Sequence, residues 1–363
     1  MKVLRLTGLT VLALAIAGGA AAWLFRADLG LKVYGGMATR QMHIDRMASL
    51  PDGLSIAFCG TGSPLPDPTR APSCAVVIAG ERLFVIDSGA GSTTNILRMG
   101  LPAGEIERVL LTHYHSDHIG GLGDLAMQRW IGTGNTRPLP VSGPPGVEQV
   151  VAGFVGAYTL DSGYRTGHHG EAIAPPSGFG MVAEPFEIGT ASDPASVIIL
   201  ENGGLTIWAT AVDHDPVSPS VAYRFDYQGR SLVISGDLVT EDSPGFQALA
   251  AGADLLVVEG LQPRLLDVIT RNASAMGNDR LAQITVDILD YHTTPEQAAA
   301  AASAADARAL VITHVVPALP RRSLYPAFLG QAGDYFPGPI RVAEDRMVVM
   351  LPAGDDSVAF ESW

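Results

Sequence analysis

Apolar residues fall along this chain in short blocks, and most of the blocks end alike. Residues 54–58, 75–78, 83–86, 109–111, 205–212, 231–235, 254–258 and 309–313 are runs of strand length, with β-branched residues inside and glycine or polar residues at the borders. They predict buried β-strands. Two further runs, 340–343 and 347–351, predict a closing hairpin. Helices are predicted over 121–130 and 147–158, with Pro138, Pro140, Pro144 and Pro145 marking the loop between them. Thr294, Pro295 and Gln297 carry the signals of a helix start: an N-cap, a proline at the first position and the partner residue of a capping box. An alanine-rich stretch follows to about Ala305. From 159 to 185 glycine and proline accumulate without periodicity, which predicts an irregular insertion.

The first residues differ in kind. Lys2 and Arg5 precede an apolar run over 6–25, closed by Arg26 and Asp28, the layout of an export signal. At about 20 residues the run is also long enough to span a bilayer as a helix, while Ala20-Ala21-Ala22 offers small residues for cleavage. A buried core helix is the plain alternative, and the lack of a polar face argues against it. Residues 1–28 are therefore expected to be a cleaved signal peptide or a retained membrane anchor. Either places the remainder outside the cytoplasm, in the periplasm or held at the membrane facing outward. Residues 29–52 read as an amphipathic or irregular linker, and 53–363 as one domain with an insertion at about 150–190.

A chain of 363 residues that is 47% hydrophobic has material for a large core. Its net charge of −14 bears on partners. Lys2 and Lys32 are the only lysines, and beyond Arg321-Arg322 there is no basic cluster of the kind that grips a phosphate backbone. A nucleic acid is therefore not expected as a partner. Cys59 and Cys74 flank the loop over 60–73. Pairing of the flanking strands would set the thiols opposite each other, and an exported chain would permit oxidation; two free buried thiols fit equally well.

The chemistry lies at the strand ends. The run 109–111 leads into Thr112-His113-Tyr114-His115-Ser116-Asp117-His118-Ile119-Gly120-Gly121. Alternate residues of an extended chain share a face, so His113, His115 and Asp117 can point together, with His118 brought round by the turn. Three of the nine histidines fall within six positions, which an accidental polar loop does not explain. Imidazole with carboxylate suits zinc, and manganese or iron less exclusively. Other runs end in the same way: 83–86 in Asp87, 205–212 in Asp213-His214, 231–235 in Gly236-Asp237, 254–258 in Glu259 and 309–313 in His314. One Gly-Asp after a strand is an ordinary turn; the recurrence carries the weight. For Glu259 a site role and a salt-bridged strand end are equally open. His168 and His169 fit a pocket lining or, better, a solvated pair.

His-x-His-x-Asp-His followed by Gly-Gly resembles the metallo-β-lactamase superfamily. Further matches from about residue 59 to residue 317 resemble its ribonuclease Z and arylsulfatase-like branch. They are the strand and loop at 55–64, His214-Asp215-Pro216 with Ser220 and Tyr223-Arg224, and His292-Thr293-Thr294. The resemblance implies an α/β fold, a four-layered αβ/βα sandwich of two mixed β-sheets flanked by helices, with metals in a cleft at one edge that the insertion would cover. Carried over position by position, it implies one zinc on His113, His115 and His214 and a second on Asp117, His118 and His314. Asp237 would bridge them, and manganese or iron(II) would also be compatible. Asp87 would hold the ligand loop from behind. A hydroxide bridging the metals would attack, with Asp117 and His292 as the catalytic side chains and His292 stabilising an oxyanion or protonating the leaving oxygen. Class B1 β-lactamases place a cysteine ligand near the position of Asp237, and this chain's cysteines lie far from it.

The resulting expectation is a dinuclear zinc hydrolase of small phosphate or sulfate esters acting outside the cytoplasm, with a small-molecule ester as its substrate. The alternatives are a ribonuclease Z-type tRNA 3′-processing endonuclease, a lactonase or thioester hydrolase and, outside enzymes, a metal-binding scaffold.

Overall fold

Alternation along the strands sorts the core into layers. In the strand Leu205–Val212 the side chains of Leu205, Ile207 and Ala209 enter one buried cluster, and in Ser220–Tyr227 those of Val221, Tyr223 and Phe225 join them. Ala222, Val233, Leu256 and Leu310 alternate with these and enter a second cluster with Phe246, Ala298 and Phe328 on the opposite face. A period of two is what a strand imposes when both of its faces are covered.

The computed structural model describes residues 12, 14–20, 22–42 and 46–363, which divide into an N-terminal unit, residues 1–48, and a large unit, residues 49–363. Lys2, Arg5 and part of the apolar run at 6–25 lie outside the described residues. Among those described, no single helix is long and apolar enough to cross a membrane. Much of the expected linker is helix α1, Arg26–Met42, with Leu29, Val33, Tyr34 and Met37 exposed.

The strands of the large unit are β1 (Gly53–Gly60), β2 (Cys74–Ala79), β3 (Arg82–Ile86), β4 (Ile106–Leu110), β5 (Leu139–Gly143), β6 (Met181–Pro185), β7 (Val197–Asn202), β8 (Leu205–Val212), β9 (Ser220–Tyr227), β10 (Arg230–Ile234), β11 (Leu255–Leu261), β12 (Ala309–Val316), β13 (Ile340–Val342), β14 (Met347–Pro352) and β15 (Ala359–Ser362). They form one eight-stranded sheet, in the order β15-β14-β1-β2-β3-β4-β5-β6, and one seven-stranded sheet, β13-β12-β11-β10-β9-β8-β7. Both mix parallel and antiparallel pairs. The sheets face each other across the cluster of Ile56, Phe84, Leu110, Tyr223 and Val257. Helices cover the outer faces: α2 (Ser92–Arg98), α3 (Ser116–Ile119), α4 (Leu122–Thr133) and α5 (Val147–His169), then α6 (Pro244–Ala250), α7 (Pro263–Ala275), α8 (Asp279–Asp287), α9 (Pro295–Ala304), α10 (Tyr325–Leu329) and α11 (Ala332–Tyr335). This is the four-layered αβ/βα sandwich.

The expected irregular insertion is instead a continuation of α5 to His169, a short turn at Pro176–Gly178 and the edge strand β6, paired in parallel with β5. The full length of this helix leaves no apolar period in the sequence because only Val147, Val151 and Ser162 of it are buried. The expected closing hairpin is also corrected. β13 pairs in parallel with β12 in one sheet and β14 pairs antiparallel to β1 in the other, so the short gap between them crosses between sheets. Asp345 in that gap accepts hydrogen bonds from Thr61 N at 3.0 Å, Ala71 N at 2.8 Å and Asn95 Nδ2 at 2.7 Å, tying the crossing to the loop after β1. Cys59 and Cys74 form a disulfide across the β1–β2 pair, closing that loop.

Candidate metal centre

β3 and β4 run parallel, as do β10, β11 and β12, so their C-terminal ends gather at one edge of the sandwich. β8 reaches the same edge through its antiparallel pairing with β9. Tyr223 of β9 donates its hydroxyl to Leu111 O at 2.6 Å, and Val221 N donates to Thr112 O at 3.0 Å, joining the two sheets immediately below the ligand loop. Asp87, His113, His214, Asp237, Glu259 and His314 all arrive there. His314 is the extra residue of a β-bulge: Glu259 pairs with Thr313 and Gly260 with Val315, leaving His314 between them at a φ of 45°. A bulge re-aims a side chain, and this one turns His314 toward Asp117 and Asp237.

The donors form three overlapping groups, each with its ligand atoms within 4.8 Å of one another: His113, His115, His214 and Asp237; Asp117, His118 and His314; and Asp237, His292 and His314. Asp237 belongs to the first and third groups and His314 to the second and third. Oδ2 of Asp237 lies 3.4 Å from His118 Nε2, 3.3 Å from His314 Nε2 and 3.9 Å from the Nε2 atoms of His113 and His214. His314 Nε2 is also 3.1 Å from Asp117 Oδ2. Two glycines make room. Gly236, at a φ of 62°, would put a Cβ 2.9 Å from Thr112 Cβ, and a Cβ on Gly89 would meet Asp117 O at 2.4 Å.

Hydrogen bonds behind the donors fix which ring nitrogen faces the centre. Asp87 accepts from Thr112 N and from Thr112 Oγ1, each at 2.8 Å, and from His118 Nδ1 at 2.7 Å. Because the Thr112 hydroxyl donates to Asp87, it is an acceptor for His113 Nδ1–H at 3.1 Å. His214 Nδ1–H donates to Tyr291 O at 2.9 Å. In each case Nε2 is left with its lone pair turned inward. His292 Nδ1 lies 2.8 Å from both carboxylate oxygens of Glu259, so its Nε2 is likewise the free nitrogen. Glu259 is held in turn by Leu238 N at 2.9 Å, and Thr293 by Leu238 O and Thr240 N. Thr294 begins α9 with the capping box its sequence predicts.

The electrostatics suit ligation. Burial, reinforced by the neighbouring His118, holds His113 well below the ordinary histidine range; burial lowers His115, and brings His214 down to about 4. Neutral imidazole is the form a metal takes. At His118 and His314 burial also opposes charge, but Asp237 with Asp87 or Asp117 outweighs it and both are raised. Burial disfavours the carboxylates of Asp117 and Asp237 too, yet the surrounding histidines pull both below the usual range. Burial and the charge of Asp237 raise Glu259 well above it. Within this cluster the Nε2 atoms of His118 and His214, Nδ1 of His314 and Oδ1 of Asp237 are buried without hydrogen-bond partners. An unpartnered buried polar atom costs about 1–3 kcal/mol, and four in one imidazole–carboxylate cluster fit divalent cations of the zinc type.

Every residue expected as a metal ligand thus stands in one of the groups, with Asp87 behind them. The contribution of Glu259 was an open choice in the sequence, and that of the Tyr291 carbonyl carried no sequence signal. His168 and His169 stand exposed at the end of α5, their rings 4.7 Å apart, outside all three groups.

The sandwich and the donor edge together define a class. The chain belongs to the metallo-β-lactamase superfamily, whose family description matches residues 67–284, more than half of its length. Relatives within the superfamily narrow this further. The chain is 38% identical over 268 residues to a protein named ribonuclease Z from Mycobacterium avium, covering 73% of this chain and 87% of that one. It is 32% identical over 309 residues to another ribonuclease Z, from Mycobacterium sp. strain KMS, covering 83% and 97%. Among solved structures, human tRNase Z, short form, superposes with a TM-score of 0.57 at 24% identity over 82% of this chain and 99% of that chain. The metallo-β-lactamase fold protein YhfI of Bacillus subtilis gives 0.56 at 20% identity, over 82% and 99%. These two likenesses speak for the fold alone.

The expectation against a nucleic-acid partner is overturned by the curated relatives, which carry the name ribonuclease over most of this chain. That expectation weighed the charge of the whole chain. Whole-chain charge sums exposed carboxylates far from the donor edge and says little about the field where a phosphate would sit.

Proposed function

We propose that the chain is a metal-dependent phosphodiesterase that cleaves RNA, as the name of its curated relatives denotes. The observation that carries this reading is the central position of Asp237, whose Oδ2 lies within 3.9 Å of the Nε2 atoms of His113, His118, His214 and His314, with the His292–Glu259 pair beside them. Divalent cations held by His113, His115 and His214 and by Asp117, His118 and His314, with Asp237 between, would activate water and offset the charge of a phosphodiester. Asp87, Thr112 and the Tyr291 carbonyl keep the imidazoles in the tautomer that ligation needs. His292 offers Nε2 to the substrate. As the P–O bond breaks, the leaving oxygen gains negative charge, and Nε2 of His292, its ring oriented by the Nδ1 bond to Glu259, is placed to donate a proton or a hydrogen bond to it. The acidic surface then counts against affinity for a long RNA rather than against the chemical step.

The test offers the full chain, supplied with zinc or manganese, a structured precursor RNA bearing a 3′ extension and, separately, bis(p-nitrophenyl) phosphate. Cleavage of the RNA at one position is expected. Turnover of the small diester with intact RNA would overturn the RNA reading.

A second reading, hydrolysis of small phosphate or sulfate esters outside the cytoplasm, is favoured by the buried Cys59–Cys74 disulfide, a bond that persists in oxidising compartments. Export through residues 1–28 belongs to this reading. A reporter fused after Asp52 that is active only after translocation would support it, and one active only in the cytoplasm would contradict it.

A further inference from the structure

We propose that Tyr291 is a positioning residue whose ring sets the tilt of His292 against the metal ligand His214. The proposal rests on the reading above in which His292 serves the leaving oxygen. The ring centroids of the three residues form a compact triangle, with sides of 4.6 Å from Tyr291 to His292, 5.1 Å from Tyr291 to His214 and 5.3 Å from His214 to His292. His214 belongs to the first donor group and His292 to the third. Tyr291 packs against both. The backbone fixes where its ring stands: the Tyr291 carbonyl accepts from His214 Nδ1 at 2.9 Å, while Thr293 donates its hydroxyl to Leu238 O at 2.7 Å and accepts from Leu261 N at 2.8 Å, just before the capping box of α9. None of these bonds uses the Tyr291 side chain, so truncating it leaves the anchors of the segment in place.

The ring is needed because one hydrogen bond does not define the orientation of an imidazole. Glu259 holds Nδ1 of His292, but the torsion that turns a histidine ring is soft, and a tilt about that bond carries Nε2 away from the leaving oxygen. Packing must supply the rest. Of the rings around His292, His314 lies 5.7 Å away at an inclination of 27° and His214 5.3 Å away, and both stand in donor groups; Tyr291 is nearer than either. A misplacement of about 1 Å at a reacting group can cost about 100-fold in rate. The hydroxyl is not what holds the contact, since among the described residues no hydrogen bond reaches it. The ring surface makes the contact, and phenylalanine would supply the same surface.

The test uses the zinc-loaded full chain carrying Tyr291→Ala or Tyr291→Phe, each alone and combined with His292→Ala. The substrates are the precursor RNA, diphenyl phosphate and bis(p-nitrophenyl) phosphate, of which the last has the best leaving group. Metal content and melting temperature are recorded for each variant. Tyr291→Ala should keep its metals and lower kcat on the RNA and on diphenyl phosphate by about 10- to 100-fold, with KM little changed. The fall should be smaller on bis(p-nitrophenyl) phosphate, which needs less help at the leaving oxygen. Tyr291→Phe should restore the rate. In the His292→Ala background the loss should vanish, because a residue that acts through His292 has nothing left to position. Proton NMR gives a reading that needs no substrate: the proton shared between His292 Nδ1 and Glu259 should give a sharp downfield resonance in the wild-type chain and in Tyr291→Phe, and a broadened one in Tyr291→Ala. The proposal is overturned if Tyr291→Ala costs the same factor with and without His292, if Tyr291→Phe is no better than Tyr291→Ala, or if the resonance in Tyr291→Ala is as sharp as in the wild-type chain. Should the wild-type chain cleave none of the three substrates, the functional reading falls, and the resonance alone decides whether Tyr291 places the ring.

Discussion

The two halves of the metal centre are built by different routes. His113, His115, Asp117 and His118 come from one loop between β4 and α3, and Asp87 at the neighbouring strand end bonds both Thr112 and His118. His214, Asp237, His292 and His314 come from four separate segments and meet only because β8, β10 and β12 end at the same edge and α9 starts there. The first half is a local structure propped by one carboxylate. The second is a product of strand order, and its members are placed by the whole fold. Asp237 stands where the halves meet, which makes it the position where a single change separates them most sharply.

The largest effect is therefore expected at Asp237→Ala. Removing the shared carboxylate should release at least one metal per chain and lower turnover beyond the 10–100-fold typical of residues that support a ligand; elemental analysis of the purified variant with its kcat checks this. His292→Ala comes next. Its helix cap at Thr294 is untouched, so the fold and both metals should stay, with a melting temperature lowered only by the lost bond to buried Glu259, while kcat and kcat/KM fall together by about 10²- to 10⁴-fold. The fall should be smaller for esters with good leaving groups. Loss of a metal in this variant would make His292 a ligand.

The same contrast explains what could be seen in the sequence. The loop half was legible directly, since four donors in six residues have no ordinary structural use. The dispersed half was legible only through recurrence: His214, Asp237 and His314 each follow an apolar run, and no one of them stands out alone. Glu259 follows such a run as well, but a strand-end carboxylate is common and nothing local shows that it lies against His292. Residues 340–343 and 347–351 have hairpin spacing, and the choice of separate sheets is made by long-range partners, β12 and β1. The extent of α5 was hidden because the helix lies on the surface and buries almost no periodic stripe.

Two smaller effects sharpen the comparison. Asp87→Asn should weaken metal affinity by about 10- to 100-fold, and mainly on the loop half, because His118 and Thr112 both lose a charged acceptor; competition with a chelating dye reads this. Replacing Cys59 and Cys74 together by serine opens a loop of sequence separation 15 and should cost about 3 kcal/mol of stability in thermal or denaturant unfolding. Turnover per folded chain should change least of all, since neither sulfur belongs to a donor group.

Anomalous scattering at the zinc edge, recorded from crystals of the zinc-loaded full chain, tests the central claim most directly. The account predicts two peaks about 3.5–4 Å apart, one among His113, His115 and His214, the other among Asp117, His118 and His314, with Asp237 reaching both. A single peak, or two that Asp237 does not join, would contradict it.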